Sequence, residues 1–573
     1  MTASNPRAGN VHGLLLYDHP SSPCARRVRI SLVEKRLTFD VRTIDLSRLE
    51  QKRPEYLALN PNGVVPTLVH GDRIVHESNV ITRYLDDVFG EPLLYPENLL
   101  DLVAVQRWQT TELAMAKDYR PLMYQRVLGP LVRLTRTLDE ALDVARRSTN
   151  DAADLAWEER VWKLEVATAD EERILVDRLE CWLERLEAAL DGRRWLVGDR
   201  FGQAEISVYP RVMMFPFVGV AIDPRRLPNL SRWMRALAAR PSFAKTLSFE
   251  DRALVRLARS GVVGWLARTL RRPPAEHTIL QRAGLTALRK IVGRALRDAA
   301  HATPAARPSP IGPHRAGRIP PGDAPIRIGR IALPAAASEP IVLFDSRHSP
   351  HGRRLRIQLA LAGIGFERRE IDLARLEHKT PEYLAIHPDG EVPALVHGAF
   401  TLVDSATIAE YLDLRFPGVP PLLPRCAFEA ARVRSWIALE AGSHREFRPL
   451  FWLRVLRPEM LERGFDATRL EGRVAPGVDP SHVTALRETL EGRTGFDTAP
   501  GLAESVIRKK LSLLEARLSD AGFLVGDALS LADLAWWTRI DLLPQLGVPI
   551  ETAGFPAIAR WHARLASLPA FSV

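Results

Sequence analysis

Cysteine is scarce in this chain. Cys24, Cys181 and Cys426 are the only three in 573 residues, too few for a disulfide framework. So few thiols point to a reducing, cytoplasmic setting. Long apolar runs are missing too. No stretch approaches the ~20 residues that a membrane-spanning helix needs. Met1 to Gly13 is short and polar, without the apolar stretch of a secretory leader, so none is expected. No set of metal ligands is read from the sequence. Charge of one sign is plentiful but confined. The net charge is +10, yet residues 251–340 alone carry 16 Lys/Arg against 5 Asp/Glu. The remainder is close to neutral, so no nucleic-acid partner is expected for it.

What the chain does contain, it contains twice. Residues 14–86 recur at a constant offset of 327: Ser22-Pro23 as Ser349-Pro350, Pro66 as Pro393, Ser78 as Ser405, Tyr84-Leu85-Asp86 as Tyr411-Leu412-Asp413. After one inserted residue the match resumes, with Trp108 as Trp436, Arg120-Pro121-Leu122 as Arg448-Pro449-Leu450, Gly198-Asp199 as Gly526-Asp527 and Arg232-Trp233 as Arg560-Trp561. Solenoid repeats run about 20–50 residues, so this unit is a whole domain pair.

Each copy opens as α/β. Gly13 to Tyr17 is a short apolar strand. Pro23 to Arg36 sets Val28, Ile30, Leu32 and Val33 among Arg26, Arg27 and Arg29, which predicts an amphipathic helix. Phe39 to Leu46 is a second strand, and Pro54 to Leu59 a short helical piece. Thr67 to His70 and Arg73 to His76 form a hairpin about Gly71-Asp72, and Glu77 to Phe89 closes the unit as a helix. The order βαβαββα is that of a thioredoxin-like layer, and it recurs from Ile341 to Phe416. Each copy then turns all-helical. The capping-box pattern Ser530-Leu531-Ala532-Asp533 predicts a strong helix start, with the serine hydroxyl accepting from a first-turn amide. Gly202-Gln203-Ala204-Glu205 keeps only the acidic member. The stretches 129–170 and 457–502 are less regular and are expected to be long helix connections or lids.

The expected domains are 11–92 and 96–250 for the first module, 251–339 for the link, and 340–422 and 423–573 for the second. Within the link, Arg252 to Arg272 and residues 277–300 have basic amphipathic periodicity, and nine prolines between 301 and 340 predict an extended spacer. The helices read either as an extension packed on the first copy or as a surface for anionic lipid or an acidic partner.

Four motifs, in order and repeated, carry a family resemblance: Ser22-Pro-Cys-Ala-Arg-Arg-Val-Arg29, Asn60-Pro-Asn-Gly-Val-Val-Pro66, Glu77-Ser78 and Val197-Gly-Asp199. Both copies resemble cytosolic glutathione transferases of the serine type (tau, zeta or theta-like), over nearly all of 11–245 and 340–573. The resemblance implies glutathione as co-substrate, activated as thiolate for attack on a small hydrophobic electrophile or for a related lyase, dehalogenase or isomerase step. A non-catalytic interaction or stress-response module on the same fold is the alternative.

It implies Ser22 as the catalytic residue. A hydroxyl beside the sulfur at a helix N-terminus favours the anion. Ser before Pro is also an ordinary N-cap and N1 pair. It further implies a cis bond at Val65-Pro66, with Val65 offering its backbone to the cysteinyl part. Glu77 and Ser78 would then take the γ-glutamyl end and Lys52 the glycine carboxylate, although the same residues fit a plain helix start and a solvated lysine. Cys24 could be a redox thiol or a small packed side chain. Trp108, Glu112, Tyr119 and Arg120 recur or nearly recur on the first long helix of the helical half (Trp436, Glu440, Phe447, Arg448) and suit either core or pocket wall.

The weaker equivalents in copy two are Ser349, Lys379, Val392, Pro393, Asp404 and Ser405. Where the family often has a second lysine, this chain has Val64 and Glu391, and His351 stands for Cys24. Copy one is therefore expected to bind glutathione better. Family members are usually dimers, so the joined modules are expected to form an intramolecular pseudo-dimer.

Overall fold

In a computed structural model of the chain, the first strand, β1 (Leu14–Asp18), is the hub of a four-stranded sheet. The structure describes residues 13–248, 262–271, 276–302, 339–418, 420–468, 472–492, 500–548 and 554–573, with Arg252 and Leu470. The proline-rich spacer and residues 253–261 of the basic segment lie outside them. The chain divides into two compact units, one built on each copy.

In the first copy, α1 (Pro23–Glu34) leads to β2 (Asp40–Thr43), which runs parallel to β1 with Asp18 opposite Thr43. α2 (Pro54–Leu57) precedes β3 (Thr67–His70), antiparallel to β1 with Tyr17 opposite Thr67. β4 (Arg73–His76) pairs with β3, Thr67 facing His76, and α3 (Ser78–Phe89) follows. The sheet order is β2-β1-β3-β4, and the second copy repeats it as β6 (Glu367–Glu370), β5 (Ile341–Asp345), β7 (Ala394–His397), β8 (Phe400–Val403). The turn between β3 and β4 uses Gly71 at φ +64°, a conformation that glycine adopts without steric cost.

α1 departs from the amphipathic expectation. Every residue from Ala25 to Leu32 is buried, the three arginines included. Burying a guanidinium is tolerable only when its donors are met. Arg29 Nη1 donates to both Asp18 oxygens at 2.6 Å. Arg26 donates to Phe243 O at 3.0 Å. Arg27 meets Glu112 and donates to Ser207 O at 3.1 Å.

The helical half begins with α4 (Leu99–Met123), passes a single π-helical turn at Tyr124–Leu128, and continues as α5 (Gly129–Thr135), α6 (Leu138–Arg146), α7 (Ala152–Lys163), α8 (Ala169–Ala189), α9 (Gln203–Val212), α10 (Pro228–Ala238) and α11 (Pro241–Lys245). A π-helical turn also follows Arg448-Pro449 in copy two, at Trp452–Leu456. The stretch 129–170, expected as connection or lid, is largely helical. Thr137 and Glu140 form a capping box that starts α6, and Thr168 and Glu171 form one that starts α8. The basic link helices Val262–Leu270 and Ile279–Ala302 pack on this copy. Leu266 and Leu270 are buried with Leu134 and Leu164, against Trp265, Leu285 and Leu288.

α9 is buried along its whole length and packs on α1. Its start rests on a carboxylate: Glu205 accepts from Leu196 N at 2.7 Å and from Gly202 N at 3.1 Å. In copy two Asp533 does the same for Leu524 N and Ser530 N, each at 3.0 Å, and the Ser530 hydroxyl donates to it at 2.6 Å. The hydroxyl thus supports the carboxylate, and Gly202 forgoes only that support. Burial pushes Glu205 up to about 7 from 4.5, although its backbone hydrogen bonds oppose this. The folded state then holds a proton that the unfolded chain has released. That stability is full below the unfolded pKa and is lost as pH rises through about 7. In urea titrations the stability of wild type relative to Glu205→Gln should therefore fall as pH rises from roughly 5 to 8. The variant should gain ~2 kcal/mol on wild type across that window. Parallel curves would contradict this.

Candidate functional site

The register of the sheet gathers the predicted residues at one edge. β1 and β2 run parallel and leave that edge towards Ser22 and Lys52, β3 enters from it after Val65 and Pro66, and β4 leaves it into Glu77 and Ser78. The Val65–Pro66 and Val392–Pro393 bonds are both cis. The turn before Pro66 is held by three side chains. Tyr56 Oη and Asn60 Nδ2 each donate to Val64 O at 2.8 Å, and Asn60 Nδ2 reaches Thr67 Oγ1 at 3.1 Å.

Ser22 is the N-cap of α1. Its Oγ accepts from Ala25 N at 3.2 Å, and its own backbone amide is spent on His19 O at 3.0 Å. Capping uses the oxygen as acceptor and leaves the hydroxyl proton to give. The cap and the catalytic readings of Ser22 are therefore compatible. Ser349 caps its helix in the same way, accepting from Gly352 N at 3.1 Å. A Cβ at Gly352 would collide with Asp345 Oδ1, so copy two needs glycine where copy one has Ala25.

Glu77 sits at φ +70°, ψ 115°, and Asp404 at φ +73°, ψ 113°. Such backbone costs a non-glycine residue about 1–3 kcal/mol, and a site that keeps it twice points to function. The Glu77 carboxylate accepts from Asn62 Nδ2 at 2.7 Å. Asp404 is shorter and turns back to cap its own helix, accepting from Thr407 N at 2.9 Å. Lys52 is not a freely solvated lysine. Its Nζ lies 3.1 Å from Asp154 Oδ1, while Lys379 Nζ donates to Asp389 O at 3.0 Å.

Beneath Ser78 lies a cluster that the sequence reading did not assemble. Arg27 donates to Ser78 Oγ at 3.0 Å and is paired with Glu112, whose other oxygen accepts from Arg211 Nε at 2.9 Å. Burial alone would raise the Glu112 carboxyl, but the guanidinium groups of Arg27 and Arg211 hold it below its usual range. Copy two repeats the triad as Arg354, Glu440 and Arg539, with Arg354 donating to Ser405 Oγ. The recurrence of all three residues was the available signal. The arginines obscure it, because their spacing ordinarily places charge towards solvent.

The fourth member of each cluster differs. Arg211 Nη2 lies 3.8 Å from Cys24 Sγ, whereas Arg539 Nη2 donates to His351 Nε2 at 2.8 Å. Arginine has no acceptor, so His351 carries its proton on Nδ1 and gives it to Ser405 Oγ at 3.4 Å. Burial first, then Arg539 and Arg354, hold His351 well below its ordinary pKa, and it stays neutral. Among the described residues, no group of three or more His, Cys, Asp or Glu could hold a metal ion.

Comparison with known proteins finds two family models, each matching the chain twice. The model "Glutathione S-transferase, N-terminal domain" matches residues 21–88 and 348–415, and "Glutathione S-transferase, C-terminal domain" matches 165–241 and 502–569. Glutathione S-transferase 3 of Zea mays is 29% identical over 245 residues, covering 41% of this chain and 93% of its own length. A probable maleylacetoacetate isomerase of Vibrio cholerae is 28% identical over 236 residues, covering 40% and 94%. A solved glutathione S-transferase from Rhodospirillum rubrum F11 is 25% identical, with 40% of this chain and 90% of that one covered at a TM-score of 0.31.

Proposed function

Since the chain belongs to the glutathione S-transferase family and carries both family domains twice, we propose that its amino-terminal copy is a serine-type glutathione transferase. Glutathione is the co-substrate. The Ser22 hydroxyl donates to its sulfur at the mouth of α1, and the thiol proton leaves to solvent. The thiolate then attacks a small hydrophobic electrophile, forming an S–C bond as the leaving group departs or a double bond or ring opens. Val65 offers its backbone to the cysteinyl unit. Ser78, steadied by Arg27, meets the γ-glutamyl carboxylate at the N-terminus of α3, and Glu77 takes the ammonium. The observation that carries this reading is the convergence of these segments on one sheet edge, with Ser22 able to cap and to donate at once.

Copy two keeps the scaffold with weaker ligand chemistry. Asp404 is engaged as a cap, Glu391 sets a negative charge beside the turn, and Asp389 replaces Asn62. Calorimetric titration of the full chain with glutathione should show one site, that of copy one. Ser78→Ala should weaken that site about tenfold, and Ser405→Ala should leave it unchanged. The reverse pattern would assign the function to the wrong copy.

A further inference from the structure

α6 and α7 fall between the two family-matched stretches of copy one, and they lie across the segment that carries Lys52. Arg136, just before α6, donates to Ser47 O at 3.2 Å. Ser148 Oγ donates to Arg48 O at 2.7 Å and accepts from Arg53 Nε at 3.3 Å. On α7, Asp154 Oδ1 holds Lys52 Nζ at 3.1 Å, and its second oxygen accepts from Thr149 Oγ1 at 3.0 Å. Both side chains of the ion pair are about three-quarters buried, with 27% and 22% exposed, so water screens the pair only in part. Glu158 follows one turn later and faces the same lysine. Burial, then repulsion from Asp154, raise its pKa, and Arg136 and Lys52 oppose the rise.

This arrangement changes what the far end of the groove can accept. The lysine that would meet a terminal carboxylate already has one. Val64 adds no second cation. A free carboxylate arriving there must displace Asp154 or share Lys52 with it, leaving one negative charge unmatched. A terminal ester or amide brings no charge and leaves the ion pair intact. In copy two Lys379 instead donates to a backbone carbonyl, that of Asp389.

We infer that Asp154 is a specificity-determining residue of copy one, weakening its hold on the terminal carboxylate of glutathione and opening the site to γ-glutamyl thiol peptides whose far end is uncharged. The inference rests on the proposed glutathione-type site and names the substrate class within it. The test is calorimetry on the full chain with two probes, glutathione and its glycyl ethyl ester, for wild type, Asp154→Asn and Asp143→Asn. Asp143 belongs to an exposed ion pair with Arg146 on α6 and serves as control. Wild type should bind the ester at least as tightly as glutathione. Asp154→Asn should tighten glutathione about tenfold and move the ester less than about twofold, and the control should move neither. An Asp154→Asn protein that leaves glutathione affinity unchanged, or shifts both probes equally, overturns the inference while the site stands. Failure of every protein to bind either probe overturns the site and the inference together.

Discussion

Ser22→Ala should lower glutathione-conjugating turnover by about a hundredfold, the usual loss when one donor to a developing anion is removed. KM for glutathione should change much less, because Ser78, Glu77 and Val65 remain. The substitution also removes a helix cap worth about 1 kcal/mol, so lost activity alone would not separate catalysis from folding. Two further variants do. Ser22→Asp keeps an acceptor for Ala25 N, which Ser22 Oγ now meets at 3.2 Å, but it offers no proton and places a negative charge beside the sulfur. It should be near wild type in stability and as slow as alanine. Ser22→Thr keeps both functions and should recover most of the rate. Turnover with an aryl halide, read beside urea midpoints, checks all three. If Ser22→Asp turns over like wild type, the hydroxyl proton has no catalytic part.

Glu112→Ala should cost the amino-terminal module about 3–5 kcal/mol, the penalty for leaving buried charge uncompensated. Glu112 is fully buried and paired with two guanidinium groups that are themselves buried, Arg27 and Arg211. With the carboxylate gone, two cations repel each other in a medium of low dielectric constant. The damage should reach ligand binding, because Arg27 also supports Ser78 at 3.0 Å. A triple exchange, Arg27→Met with Glu112→Leu and Arg211→Met, removes charge and counter-charge together. It should recover much of the stability but not the glutathione affinity. Thermal unfolding followed by glutathione titration separates the two outcomes. A Glu112→Ala protein as stable as wild type would contradict the reading of the triad.

The sequence made the scaffold legible because duplication tells repeated positions from drifting ones. The βαβαββα order and both hairpins follow from apolar periodicity and turn residues, whereas the grouping of Ser22, Pro66 and Ser78 at one edge is what the family resemblance implies. Three things were not legible, each for a physical reason. Arg26, Arg27 and Arg29 occupy spacings that ordinarily face solvent, and their burial depends on partners such as Asp18 and Glu112, the latter some 85 residues away. The engagement of Lys52 by Asp154 likewise joins residues distant in sequence. The helices in 129–170 were obscured by dense charge, although the pattern Thr137-Leu-Asp-Glu140 is a readable start. At 202–205 and 530–533 the acidic member is legible in both copies, and it is the buried carboxylate that both helix starts share.

Ultraviolet titration of the glutathione thiolate bound to the full chain tests the central claim most directly. With wild type, the bound thiol should titrate well below the free thiol, and with Ser22→Ala it should return most of the way towards it. An equal thiolate fraction in the two proteins at every pH would contradict the account.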